Sequence, residues 1–215
     1  MQDMCYLSIE METAFDILLI SPEQNIPDEA EMVNELFSRG LSVFHLRKPD
    51  WSFEQLHDFL KKIHQEFHNK IVLHAHFVLA DTFRLKGIHL NESNKKLIGQ
   101  FEQYNIISAS FHSIQDIKEN TFPYQYVLLS PVFNSISKPG YNGKFDLRLL
   151  TEELNVIRKG NQSAPKIIAL GGISAANIIT VKEAGFSGAA LLGAVWTCEN
   201  PIETYLQIKT LAGLK

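Results

Sequence analysis

Two glycine-ended apolar runs near the end of the chain have the make-up of an anion site. One is Lys-Ile-Ile-Ala-Leu-Gly-Gly-Ile at 166–173; the other is 188–195, where Gly193 interrupts an apolar series. Each passes from a short apolar strand pattern through glycine into a helix pattern, so that backbone N–H groups and a helix N-terminus converge on one point. Gly171, Gly172 and Gly193 let a ligand approach that backbone closely, and the ligand such a place suits is a phosphate group. A second set of residues offers proton transfer and anion pairing. His45 and Arg47 close one apolar run and His74 and His89 close two others, while His112 stands between Ser110-Phe111 and a Ser113/Asp116 pair with helix N-cap spacing. A neutral imidazole where strand becomes helix can relay a proton at neutral pH. The polar, glycine-bearing stretch 130–145 reads as a loop over the same place, with Lys138 within reach of a bound anion and Gly140 and Gly143 permitting closure.

Strand alternation puts His45 and Arg47 on one face of their strand and Phe44 and Leu46 on the other. Imidazoles at adjacent strand ends are one route to zinc. The chain has no HExxH, however, and no carboxylate beside these strand ends, so the reading is that no metal is held. His74 and His89 read as packed, hydrogen-bonded core histidines.

Positioning these groups takes an alternation of short apolar runs and amphipathic helices, which extends from residue 15 to the end. Candidate strands are 15–20, 41–46, 70–74, 87–90, 105–110, 125–130, 166–170 and 188–192, each short enough to be a buried parallel strand. Eight such units predict an α/β fold, a single (β/α)8 TIM barrel, whose loops after the last two strands build phosphate sites. A doubly wound open sheet is the rival, but it usually carries its glycine-rich loop after the first strand, where this chain has Ser21-Pro22-Glu23. Asp28 with Glu31 and Ser52 with Gln55 have capping-box spacing; the second opens a helix carrying Phe53, Leu56, Phe59, Leu60, Ile63 and Phe67 at helical period. Gly40 and Gly185 read as helix stops. Residues 1–14 show little period of either kind and form an N-terminal extension, floppy or folded as a short helix closing the barrel bottom; 15–215 is the barrel domain.

The 215 residues, 45% apolar and 20% charged, suffice for one domain with an ample core. A net charge of −4 lacks the basic excess of nucleic-acid or anionic-membrane binders, so neither partner is expected. No apolar run reaches the ~18–20 residues of a membrane-spanning helix. Cys5 and Cys198 show no CxxC spacing, and the first residues lack a basic region followed by an apolar stretch, so the expected compartment is the cytoplasm. A homodimer is the commonest assembly for such a domain, and the sequence leaves the oligomeric state open.

Five segments, in order, carry a resemblance to the thiamine-phosphate synthase/TenI superfamily. HLRKPD at 45–50 is similar to the family's QLREKD, KGIHLNESN at 86–94 to DGVHLGQED, SASFHS at 108–113 to GVSxHS, SPVFNSISK at 130–138 to GPVFxTxTK, and ALGGI at 169–173 to AIGGI. The resemblance implies a βα barrel binding a phosphorylated thiazole. It places the phosphate on Gly171, Gly172 and Gly193, His45, Arg47, Ser135 and Lys138 on the substrate, and His112 as the proton carrier. Synthases of this family hold magnesium with two aspartates, and the corresponding residues here are His74-Ala75 and Asn94. Magnesium prefers hard anionic oxygens, which these do not supply, and the synthase lysine is displaced, with Pro49 in its place and Lys48 on the opposite strand face. Asp81 or Glu92 would have to substitute. What remains resembles the TenI branch, thiazole tautomerases that aromatise a carboxythiazole phosphate by proton transfer without a cofactor. The alternatives are a divergent magnesium-dependent synthase joining pyrimidine diphosphate to thiazole phosphate, and a non-catalytic barrel that binds a thiamine precursor.

Overall fold

The computed structural model describes residues 15–134, 145–160 and 164–214. The first half runs β1 (Asp16–Ile20), α1 (Glu29–Ser38), β2 (Val43–Leu46), α2 (Phe53–Lys62), β3 (Ile71–Leu73), α3 (Val78–Thr82), β4 (Gly87–Leu90) and α4 (Glu92–Lys95). The second runs β5 (Ile107–Phe111), α5 (Ile114–Glu119), β6 (Tyr126–Leu129), α6 (Leu147–Gly160), β7 (Lys166–Leu170), α7 (Ile178–Glu183), β8 (Gly188–Leu191), α8 (Gly193–Trp196) and α9 (Pro201–Leu211). All eight strands are parallel and close into a barrel in sequence order, β8 pairing with β1 through Asp16↔Gly188 and Leu18↔Ala190. That closure rules out the open sheet. It also needs a glycine: a Cβ at Gly188 would lie 2.3 Å from the Asp16 carbonyl oxygen. No described helix is long and apolar enough to cross a membrane. The proposed extension, 1–14, lies outside the described residues.

Period-two alternation divides the core into two layers. Phe44 and Leu46 join Leu19, Leu73 and Leu129 in the large cluster between barrel and helices. Leu18, Ile20, Val43, Val72, Leu128 and Ile168 fill the barrel interior. Polar side chains from β2, β4, β5 and β6 share that interior. His45, His89 and Ser108 are buried there with Tyr126. The Tyr126 hydroxyl meets His45 Nε2 at 2.7 Å, His45 Nδ1 meets His74 Nε2 at 2.9 Å, and the His89 nitrogens meet Ser108 Oγ and Ser110 Oγ at 2.8 Å each. Paired in this way, the rings avoid the penalty of roughly 1–3 kcal/mol carried by an unsatisfied buried polar group.

Local signals behave unevenly. Ser52 and Gln55 form the full reciprocal capping box at the start of α2. Asp28 does not cap α1, because its backbone is left-handed (φ 55°) and its side chain makes no capping bond; Glu29, next in line, is instead buried in an ion pair with Lys48 at 2.6 Å. The helix expected through Phe67 stops at Lys62. Ile63 turns extended, and the apolar series continues in a 3-10 turn, Gln65–Lys70. Gly40 and Gly185 do end helices, both at φ 91°.

Removing the capping hydroxyl with Ser52→Ala should cost about 1 kcal/mol in urea unfolding. Burial lowers the His45 pKa to about 3 and pushes those of His74 and His89 well below the usual histidine range, helped by the neighbouring rings and Arg47. Below about pH 6.5 the unfolded chain therefore takes up protons that the folded chain refuses, and stability falls with pH. His45 alone should account for about 2 kcal/mol lost by about pH 5. Denaturation midpoints measured between neutral pH and about pH 5 should fall less steeply in His45→Gln than in the parent, and identical slopes would contradict this account.

Candidate active site

At the carboxyl ends of the strands a cavity of about 490 Å³ opens, with Arg47, Ser110, His112, Gly171, Gly172 and Gly193 in its wall. The three glycines the sequence assigns to an anion thus face one space. Gly171 and Gly172 follow β7 in left-handed backbone, φ 98° and 65°. A Cβ at Gly172 would stand 2.2 Å from the Asn134 carbonyl oxygen, so the loop after β6, as well as any ligand, requires glycine there. That loop is tied down by Val132 N–H to the Leu170 carbonyl (2.9 Å) and Phe133 N–H to the Gly171 carbonyl (3.0 Å). Asn177 braces the other side, donating to the Gly172 carbonyl at 2.8 Å and accepting from the Ser174 amide at 2.9 Å. Gly193 opens the single turn α8.

His112 stands exposed in the cavity wall, just after β5. Its Nδ1 lies 3.0 Å from the Ser130 carbonyl oxygen. A carbonyl only accepts, so Nδ1 carries the hydrogen and the neutral ring keeps its lone pair on Nε2. Ser113 caps α5 as its spacing predicts, accepting from the Asp116 amide at 3.0 Å. The ring is thus held through Nδ1, and the cap fixes the start of α5 directly after it.

Arg47 reaches the cavity and pairs there with Glu23 at 2.5 Å, both side chains about one-third exposed. Lys48 points the other way, into its buried pair with Glu29 and a 2.8 Å bond to the Gln24 carbonyl. The sequence assigns His45 to the ring pocket; the structure corrects this by setting it one layer below the cavity, wholly buried, because Tyr126 and His74 occupy its two nitrogens. His89 is the packed core histidine expected and His74 is half-buried beside it. His76, two residues on, turns away with φ 50° toward the Trp51 carbonyl. Ser135 and Lys138 lie outside the described residues.

Sequence reasoning missed Ser110 and Glu23, both in the cavity wall, and weighed Glu92, which also lines it, only as a stand-in magnesium ligand. Ser110 had a usable signal, since it alternates with Ser108 and His112. Glu23 stands in the irregular connection after β1, where no period marks it, and Glu92 opens the short α4. Glu92 pairs with Lys95 at 2.6 Å, and Lys95 also donates to the Ser110 carbonyl at 2.9 Å.

Comparison with known proteins agrees with this geometry. A family model described as thiamine monophosphate synthase, TMP-TENI, matches residues 17–195. A thiamine-phosphate synthase of Chlamydia caviae is 27% identical over 199 residues, covering 88% of this chain and 91% of its own. The crystal structure of a thiamine phosphate pyrophosphorylase from Bacteroides thetaiotaomicron superposes with a TM-score of 0.75 at 29% identity, over 94% of this chain and 99% of that one. One from Pyrococcus furiosus shares the fold, with a TM-score of 0.74 at 18% identity over 93% and 96% of the two chains. An eight-stranded barrel with a glycine cup at its mouth, matched by the family model along most of its length, belongs to the thiamine monophosphate synthase family.

Proposed function

We propose that the cavity binds a phosphorylated thiazole and that His112 moves a proton on its ring, an isomerisation of the thiazole tautomerase type. The observation that carries this reading is that His112, whose Nδ1 is committed to the Ser130 carbonyl so that the basic lone pair is left on Nε2, lines the same cavity as the glycine cup. The phosphate rests against Gly171, Gly172 and the Gly193 turn, and Arg47 steadies a second anionic group of the substrate. Nε2 removes a proton from one carbon and, as imidazolium, returns it to another; formation of the aromatic ring drives the exchange. Positioned acid–base help of this kind is worth on the order of 10²–10⁴ in rate.

A second reading is favoured by the names of the relatives, which are those of the transferase. In that branch of the family a magnesium diphosphate is handled, and the residues here do not fit the ion. Ala75 has no donor atom, Asn94 offers a neutral amide, Glu92 is engaged by Lys95, and Asp81 sits on α3 against the Tyr104 phenol. A hard dication needs anionic oxygens free to bind it, so no step is derived through it. A non-catalytic barrel holding a thiamine precursor is the third possibility.

Incubation with the thiazole tautomer, followed by the aromatic absorbance, should show an acceleration that a chelator leaves unchanged. His112→Ala should cut turnover at least ~100-fold while product binding stays nearly intact; undiminished turnover would remove His112 as proton carrier. Release of pyrophosphate from mixed pyrimidine diphosphate and thiazole phosphate would establish the transferase instead.

A further inference from the structure

Three adjacent strands bring His45, His74 and His89 to one place below the cavity, where one nitrogen of each ring lies within 4.8 Å of one from each of the others. We infer that this cluster is a binding site for one borderline transition-metal dication, of the zinc and cobalt class, separate from the proton transfer assigned to His112.

The hydrogen bonds sort the six ring nitrogens into ligating and supporting sets. His45 Nε2 is held by the Tyr126 hydroxyl at 2.7 Å, which leaves Nδ1 to ligate. His89 Nδ1 is held at 2.8 Å by Ser108 Oγ, whose own hydrogen is directed to the Ile88 carbonyl at 3.3 Å; Nε2 is left to ligate. A metal-bound imidazole characteristically has its second nitrogen fixed in this manner. His74 contributes Nε2, now 2.9 Å from His45 Nδ1 with one hydrogen between them. The ion takes the place of that hydrogen, which shifts to the far nitrogen of the ring that carries it so that both imidazoles stay neutral, and the two nitrogens open to about 3.3 Å for tetrahedral bonds near 2.0 Å.

His74 is the ring that can give way. It is half-buried, stacked on His89 at 4.4 Å, and makes that single hydrogen bond among the described residues, so rotation about its broad terminal torsion turns the lone pair inward. Ser110 Oγ, 2.8 Å from His89 Nε2, lines the cavity, and a water there completes four ligands. Three neutral nitrogens with no carboxylate select zinc, cobalt or copper over magnesium or calcium. The charges facing the cluster are cationic: Arg47, already paired with Glu23, and Lys95, paired with Glu92. They oppose a dication and favour an anionic fourth ligand.

The test is titration of the chelator-stripped full chain with cobalt(II), read by ligand-field absorption. One equivalent should produce the spectrum of a four-coordinate site, which zinc then abolishes. His74→Ala and His89→Ala should each weaken binding at least about 100-fold, whereas His57→Ala on α2 should bind like the parent. For a variant that fails to fold, the wild-type chain answers instead: zinc should shift the ring NMR signals of His45, His74 and His89 and leave that of His57 in place. Absence of a stoichiometric cobalt spectrum, undiminished binding by the folded His74→Ala protein, or zinc shifts confined to surface histidines would overturn the assignment. None of these readouts involves thiazole turnover, so the result stands apart from the fate of the isomerase reading.

Discussion

Hydrogen-bond satisfaction inside the barrel is the constraint on which the rest of this molecule depends. A closed parallel sheet turns half of every strand inward, and here that interior carries imidazole, hydroxyl and phenol among aliphatic groups. Unpaired, those polar groups would destabilise the core by several kcal/mol in sum. Their mutual bonding makes much of the cavity floor a fixed polar surface, because partners at both nitrogens limit how far the His45 and His89 rings can rotate.

Above that floor, the wall is made from strand ends whose local geometry serves packing and chemistry together. Gly172 illustrates this: the crossing of the loop after β6 already excludes a side chain, and the same bare backbone faces the cavity. His112 is a second case. Its Nδ1 is committed to a structural bond with the Ser130 carbonyl, and that commitment decides which nitrogen remains basic. Membership of the thiamine monophosphate synthase family rests on most of the chain, while the choice between isomerase and transferase rests on a few mouth residues. The substitutions at His74, Ala75 and Asn94 bear on that choice because they change the kind of ion the place can hold.

Much of the fold was legible in advance. All eight candidate strands coincide with observed ones to within a few residues, since short buried parallel strands leave continuous apolar runs bounded by turns. Boundaries governed by tertiary contacts were less so. α2 ends early because Ile63 is needed in extended form, and Asp28 yields its capping role where the buried Glu29–Lys48 pair dictates the entry to α1. In the site, Gly171, Gly172, Gly193, Arg47 and His112 share one cavity, as their positions at strand ends imply.

The residue series alone determined the number of βα units, the face on which His45 and Arg47 lie, and the placing of glycine after the last two strands. These follow from periods of two and 3.6 residues and from backbone freedom, which are properties of neighbours in the chain. Only the tertiary structure decided depth and partnership: His45 beneath the cavity, Arg47 against Glu23, Glu92 against Lys95, and three imidazoles within reach of one another. Those depend on how far each strand end is staggered around a closed barrel, a quantity set by pairing among residues distant in sequence and carried by no local pattern.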